Sequence, residues 1–173
     1  MKKSKKILLP LFYKKKTRRP LSEKQKRLLR FNLQKFLFKK NFIIKKKIFL
    51  EIGFGYGENL INLGKKNIDE LIIGCEVYEP GIANLVKKIE INNLKNICIY
   101  PKNIFSLLEK LKKNSIEKIF MLYPDPWPKK KHFKRRLIND SFFKKIKYYL
   151  KDNAVIHIAS DSKSYISSIL LTI

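Results

Sequence analysis

Long apolar runs are missing from this sequence, and acidic residues, cysteines and glycines are few. No stretch approaches the roughly 20 apolar residues of a membrane-spanning helix, so no membrane partner is expected. The opening Met1–Phe12 imitates the charged and apolar parts of a signal peptide. Its apolar part is short, however, is broken by Pro10, and runs into Lys14-Lys15-Lys16 with no small-residue cleavage site. The expected location is therefore cytoplasmic. The two cysteines, Cys75 and Cys98, form no Cys-x-x-Cys pair and have no histidine partner. They read as small buried residues of predicted strands, which argues against disulfides and a metal site. Acidic residues number 14 against 40 lysines and arginines, a net charge of +26. Such a balance favours polyanionic partners, although the 34 lysines, 24 isoleucines and 13 asparagines also fit an AT-rich coding bias. The six arginines are more telling. Arg18, Arg19, Arg27 and Arg30 form one group and Arg135 and Arg136 another, and arginine in a lysine-rich background suggests bidentate phosphate contact.

A hydrophobic content of 45% over 173 residues suits one folded domain. Residues 1–46 read as a basic N-terminal arm followed by a helix over 23–38 that Ser22 caps. From Lys47 onward, strand patterns (47–52, 71–76, 96–100, 117–123, 154–159) alternate with helical ones (58–66, 80–92, 104–113, 139–150, and another from about 161). Continuous apolar strands such as Leu71-Ile-Ile-Gly-Cys75 predict a parallel sheet buried on both faces. The fold class expected is α/β, a doubly wound, mostly parallel sheet.

Half of the six glycines, Gly53, Gly55 and Gly57, sit within five positions directly after the apolar run Ile48–Ile52. Glycines clustered at a strand's end let the backbone turn tightly and approach a ligand. Ligands of such sheets bind beyond the carboxyl ends of the strands, which singles out Glu51, Glu76, Asn103, the Pro124-Asp125-Pro126-Trp127 segment and Asp161. Glu76 would accept from ribose hydroxyls and Asn103 would meet an adenine edge. A nicotinamide fingerprint needs glycine where Glu58 stands. The pattern Glu-x-Gly-x-Gly-x-Gly suits S-adenosylmethionine better, because its cationic groups favour carboxylates.

Alternating prolines are expected to hold Asp125 and Trp127 extended, in fixed directions. Trp127, the only tryptophan, offers a flat ring to a planar heterocycle, and Asp125 could accept from the N1–H and exocyclic amine of a guanine. The basic run that follows would hold flanking phosphates, with His132 among those contacts. His157 reads as a core or edge histidine.

Phe49–Gly57, Gly74-Cys-Glu-Val-Tyr-Glu-Pro-Gly81, Tyr123-Pro-Asp-Pro-Trp-Pro-Lys-Lys-Lys-His-Phe-Lys-Arg-Arg136 and Ala159-Ser-Asp161 together resemble the bacterial tRNA (guanine-N7-)-methyltransferases, over about Lys47 to the end. The resemblance implies a methyltransferase domain over 47–173 of the class I, Rossmann-like type. It also implies cofactor contacts at Glu51, Gly53, Gly55, Gly57, Glu76, Asn103 and Asp125, and a catalytic role for Asp125. Substrate contacts follow at Trp127, Lys129, Lys131, His132, Phe133, Lys134, Arg135, Arg136 and Asp161. Two departures stand out. Asn103 replaces the family's usual aspartate, and the family's further strands and Thr-x-Phe-Glu motif do not follow, leaving the fifth strand as an expected open edge.

The expected activity is methyl transfer from S-adenosylmethionine to guanine N7 in the variable loop of tRNA, by a monomer or homodimer with no metal. Two alternatives stay open: an amino methyltransferase acting on another base or a side-chain amide, and a non-catalytic RNA-binding remnant.

Overall fold

A computed structural model describes residues 20–43 and 47–172. Most of the basic arm, including Lys14–Lys16, Arg18 and Arg19, lies outside the described residues, as does the stretch Met1–Phe12. Five strands follow the expected segments: β1 (Ile48–Ile52), β2 (Leu71–Cys75), β3 (Ile97–Tyr100), β4 (Ile116–Leu122) and β5 (Leu150–Ala159). They form one sheet in the order β3-β2-β1-β4-β5, with every pairing parallel. Parallel neighbours need crossovers, and these contain α2 (Glu58–Lys66), α3 (Glu79–Ile91), α4 (Ile104–Leu108) and α5 (Asp140–Ile146). A sixth helix, α6 (Lys163–Leu170), follows β5. Before the sheet, α1 (Glu23–Arg27) continues through a wider π turn at Leu28–Asn32 into a 3₁₀ turn at Leu33–Phe36.

Two apolar layers sandwich the sheet. Phe49, Ile72 and Ile99 face Leu60, Leu85 and Val86 from α2 and α3. Leu50, Ile73 and Ile119 face Leu107, Phe142, Tyr165 and Ile169 from α4, α5 and α6. All of β1, β2 and β3 is buried, and each fully buried aliphatic side chain contributes about 1.5–3 kcal/mol. Cys75 and Cys98 lie in that core as free thiols, and burial pushes both well above the usual thiol range. Among the described residues no helix is long and apolar enough to cross a membrane.

Three boundaries differ from the periodicity. The helix expected over 104–113 closes at Leu108, because the chain tightens into turns from Lys110 N–H to the Leu107 carbonyl and from Leu111 N–H to the Leu108 carbonyl. The helix expected to reach 150 ends in a 3₁₀ turn at Lys147–Tyr149, and β5 starts four residues before the expected 154. That polar extension holds a register break. Ile116 pairs with Leu150 but Lys118 with Val155, and Asn153 takes up the slack at φ 63°. Asparagine tolerates this left-handed geometry better than most residues. Among the described residues β5 and β3 are the sheet's two outer strands.

Candidate active site

β1 and β4 are neighbours whose following connections leave in opposite directions, which makes the crevice at their carboxyl ends the switch point of the sheet. A cleft of about 1220 Å³ opens there. Ile52, Gly53 and Gly55 form one wall, Glu76 and Tyr78 another, and Asn103, Tyr123, Asp125, Trp127 and Arg135 the rest.

The glycine loop is held by Glu76. One carboxylate oxygen accepts from Gly55 N–H (3.0 Å), while the other accepts from Val77 N–H (2.6 Å) and Tyr78 N–H (3.0 Å). Gly53 N–H donates to the Cys75 carbonyl at 2.8 Å. All three glycines are left-handed, at φ 74°, 54° and 79°, where a Cβ costs about 1–2 kcal/mol. At Gly53 and Gly55 an added Cβ would meet nothing within 4 Å, so the open side belongs to the cleft. Gly57 serves differently: it starts α2 and abuts Leu85, which its Cβ would reach at 2.7 Å, and it does not line the cleft.

Glu51 is 3% exposed and lies behind the cleft wall. Asn59 Nδ2 donates to it at 3.2 Å. Burial pushes its carboxyl up to about 7; Asn59 opposes the shift and the nearby Glu76 charge adds to it. Below about pH 4.5 the group is protonated folded or unfolded. Between there and about pH 7 the unfolded chain releases the proton that the folded chain keeps, so this contribution to stability falls as pH rises. The full cost of about 3 kcal/mol is reached above pH 7. We expect Glu51→Gln to gain stability over wild type by that amount between about pH 5 and pH 8 in urea unfolding. A difference independent of pH would show that Glu51 is not the titrating group.

The loop after β4 departs from the expected extended run. Tyr123 and Trp127 both adopt left-handed backbone, at φ 52° and 44°, so Asp125 sits between two strained residues. Arg135 lies over the Trp127 ring at 5.0 Å, and His132 meets that ring edge-on at 5.8 Å. Desolvation first, then the cations Arg135, Lys131, Lys129 and Lys134, hold His132 below its usual value.

The cleft gathers Gly53, Gly55, Glu76, Asn103, Asp125, Trp127 and Arg135. Asn103 is partly committed, because its side-chain oxygen caps α4 at Ser106 N–H (3.0 Å). Lys129, Lys131, His132, Phe133, Lys134 and Asp161 are not part of the cleft lining; all but Lys129 and Asp161 belong to the 3₁₀ segment Lys130–Arg135. Arg136 corrects the reading of the arginine pair: it is 3% exposed, its guanidinium enclosed by protein. Sequence reasoning missed the cleft residues Leu21, Gln25 and Tyr78. The first two frame the capping box of α1, where Gln25 N–H donates to Ser22 Oγ and Ser22 N–H to Gln25 Oε1. That pattern signals a helix start, but nothing in it signals a cleft. Tyr78 stands within the motif, and its hydroxyl pairs with that of Tyr56 at 3.3 Å.

Residues 45–173 match a family described as "Putative methyltransferase". The chain is 43% identical over 155 residues to the bifunctional methyltransferase of Rickettsia felis, a match covering 88% of this chain and 29% of that protein. It is 42% identical over 121 residues to the tRNA (guanine-N(7)-)-methyltransferase of Wolbachia pipientis wMel, covering 70% of this chain and 55% of that one. The chain thus spans under a third of the first relative's length and about half of the second's. Among solved structures, an antibiotic-related methyltransferase aligns at TM-score 0.57 and 18% identity over 78% of this chain and 74% of that one. A precorrin-6y C5,15-methyltransferase from Geobacter metallireducens aligns at TM-score 0.60 and 10% identity, over 77% and 64%. These two likenesses bear on the fold, which is that of the Rossmann-like class I methyltransferases. The sequence match runs the length of the α/β domain and goes further than fold: the chain belongs to the family of the bacterial tRNA (guanine-N7-)-methyltransferases.

Proposed function

We propose that this domain transfers a methyl group from S-adenosylmethionine to N7 of a guanine in tRNA, in the variable loop as the family resemblance implies. The observation that carries the reading is a single cleft holding the glycine loop, Glu76, Asp125 and Trp127. The fit to the cofactor rests on the open space over Gly53 and Gly55, into which no side chain projects, and on carboxylates beside it. When bound, S-adenosylmethionine supplies an electrophilic methyl group on a cationic sulfonium. Gly53, Gly55, Glu76 and Asn103 would hold its nucleoside part. Glu76 holds the loop through Gly55 N–H, its other oxygen being fixed by the N–H groups of Val77 and Tyr78, and its remaining lone pairs are left for ribose hydroxyls.

Guanine N7 carries a lone pair and no proton, so the chain needs no general base. Its residues would align the ring and exclude water. Asp125 would receive the guanine edge and stabilise the positive charge that develops on the purine. Trp127 would stack on the base, and Arg135 with the lysines of the 3₁₀ segment would face the flanking phosphates. The test is incubation of the purified chain with labelled methyl donor and unmodified tRNA, followed by cleavage at N7-methylguanine. Label at an exocyclic amine would favour the amino methyltransferase reading. S-adenosylhomocysteine binding by calorimetry separates an enzyme from an RNA-binding remnant, which should give no heat.

A further inference from the structure

Arg136 is the one lysine or arginine that the fold buries among the described residues. A buried guanidinium without hydrogen bonds is strongly unfavourable, and this one is met on several sides. Nε donates to the Pro126 carbonyl at 2.8 Å, one terminal nitrogen to the Ser164 carbonyl at 3.3 Å, and the other to Ser164 Oγ at 3.2 Å. Its plane is covered by Phe133 at 3.8 Å and by the fully buried Tyr165 at 4.7 Å. Tyr165 in turn accepts Ile138 N–H at 3.0 Å. One planar side chain therefore joins the loop after β4 to the first turn of α6.

The joined atom lies at an informative place. The Pro126 carbonyl belongs to the peptide that links Pro126 to Trp127, one residue from Asp125, and Trp127 is left-handed. Left-handed backbone at a bulky residue persists only where surrounding contacts over-determine it. The bond from Nε fixes the orientation of that peptide plane. Tyr165 lies within electrostatic reach of both Arg136, which lowers its pKa, and Asp125, which raises it, although burial is the largest influence and leaves the phenol above its usual value.

We propose that Arg136 is a positioning residue rather than an RNA contact: by clamping the Pro126 carbonyl to Ser164, it holds Asp125 and Trp127 in their working orientation. Lysine cannot replace it, since one compact ammonium does not span the three acceptors on Pro126 and Ser164 that the three separate guanidinium nitrogens meet. This deepens the methyl-transfer reading and rests on it for the rate. The geometric part does not, because Trp127 is the chain's only tryptophan and its fluorescence reports on the loop directly.

The test compares Arg136→Lys and Ser164→Ala with wild type in two arms. In the free proteins, Trp127 emission and its quenching by acrylamide are measured. Arg136→Lys should shift emission to the red and raise quenching several-fold, with Ser164→Ala intermediate. In the second arm, Arg136→Lys should lower the single-turnover rate at saturating tRNA by about 100-fold, the scale of a 1 Å misplacement. Its affinities for S-adenosylhomocysteine and tRNA should stay within about threefold, under half a unit of log Kd. Unchanged fluorescence in both variants overturns the clamp. So does a tenfold loss of tRNA affinity with an unchanged saturated rate, which would return Arg136 to RNA binding. If Arg136→Lys does not fold, Ser164→Ala decides alone: altered fluorescence supports the clamp and unaltered fluorescence overturns it. A wild type without methyl transfer refutes the proposed function, yet the fluorescence comparison still decides whether the clamp exists.

Discussion

Asp125→Ala should lower the single-turnover rate of methyl transfer by about 10²–10³-fold, the loss typical of removing one well-placed electrostatic stabiliser. S-adenosylhomocysteine binding should weaken much less, because Gly53, Gly55 and Glu76 form the other walls of the cleft. The carboxylate is the part that matters. In the proposed reaction the purine becomes cationic as the methyl group bonds to N7, and a fixed anion against it would favour the transition state over the neutral ground state. Asp125→Asn keeps the size and one acceptor but lacks the charge, so it should recover only a small part of the rate. Neither variant should gain from added base, since no proton is removed before attack. Full-rate turnover by Asp125→Ala at saturating tRNA would eliminate this role, whatever happened to binding.

The second large effect is expected at a residue that touches neither ligand. Gly81→Ala should lower the affinity for S-adenosylhomocysteine at least tenfold and destabilise the fold by about 1–3 kcal/mol, the range for overpacking. Gly81 lies in the first turn of α3, and a Cβ there would stand 2.0 Å from the Gly55 carbonyl oxygen. That obstacle is backbone, with no rotamer to swing aside, so the glycine loop and α3 must be pushed apart, which displaces the loop that Gly55 N–H ties to Glu76. Gly53→Ala is the contrast. Its methyl group meets no protein atom within 4 Å, so the cost to the free fold is confined to left-handed strain of about 1–2 kcal/mol, and any loss of binding comes from the methyl group entering the cleft itself. Calorimetry together with urea unfolding checks both. Equal binding by Gly81→Ala and wild type would show that the loop tolerates displacement.

What the chain disclosed before folding depended on how local each signal was. The strand-and-glycine run at 48–57 is a contiguous pattern with one physical use, and β1, its loop and α2 follow from it. The five-strand parallel sheet follows from βα alternation for the same reason. Arg135 and Arg136 are neighbours of one residue type, and their division between cleft and core is decided by Ser164 and Tyr165, some 28 residues further on. No local rule separates them. Gly81 was visible inside a motif, but its reason, the approach of α3 to the Gly55 carbonyl, is tertiary. Leu21 and Gln25 lie about a hundred residues from Asp125 in sequence yet share its cleft.

The signs of charge around the cleft have a further consequence. Glu76 lines the cleft and Glu51 lies behind its wall, while Arg135 lines it at the end of the basic run Lys129–Arg135, on a chain of net charge +26. Ionic strength should therefore act unequally on two guests at one address. Polyanion capture by that basic run declines steeply as salt displaces counterions, whereas a small cation seated in the cleft beside Glu76 and Asp125 is screened far less. In strong salt the domain should stay loaded with its donor while letting go of its RNA.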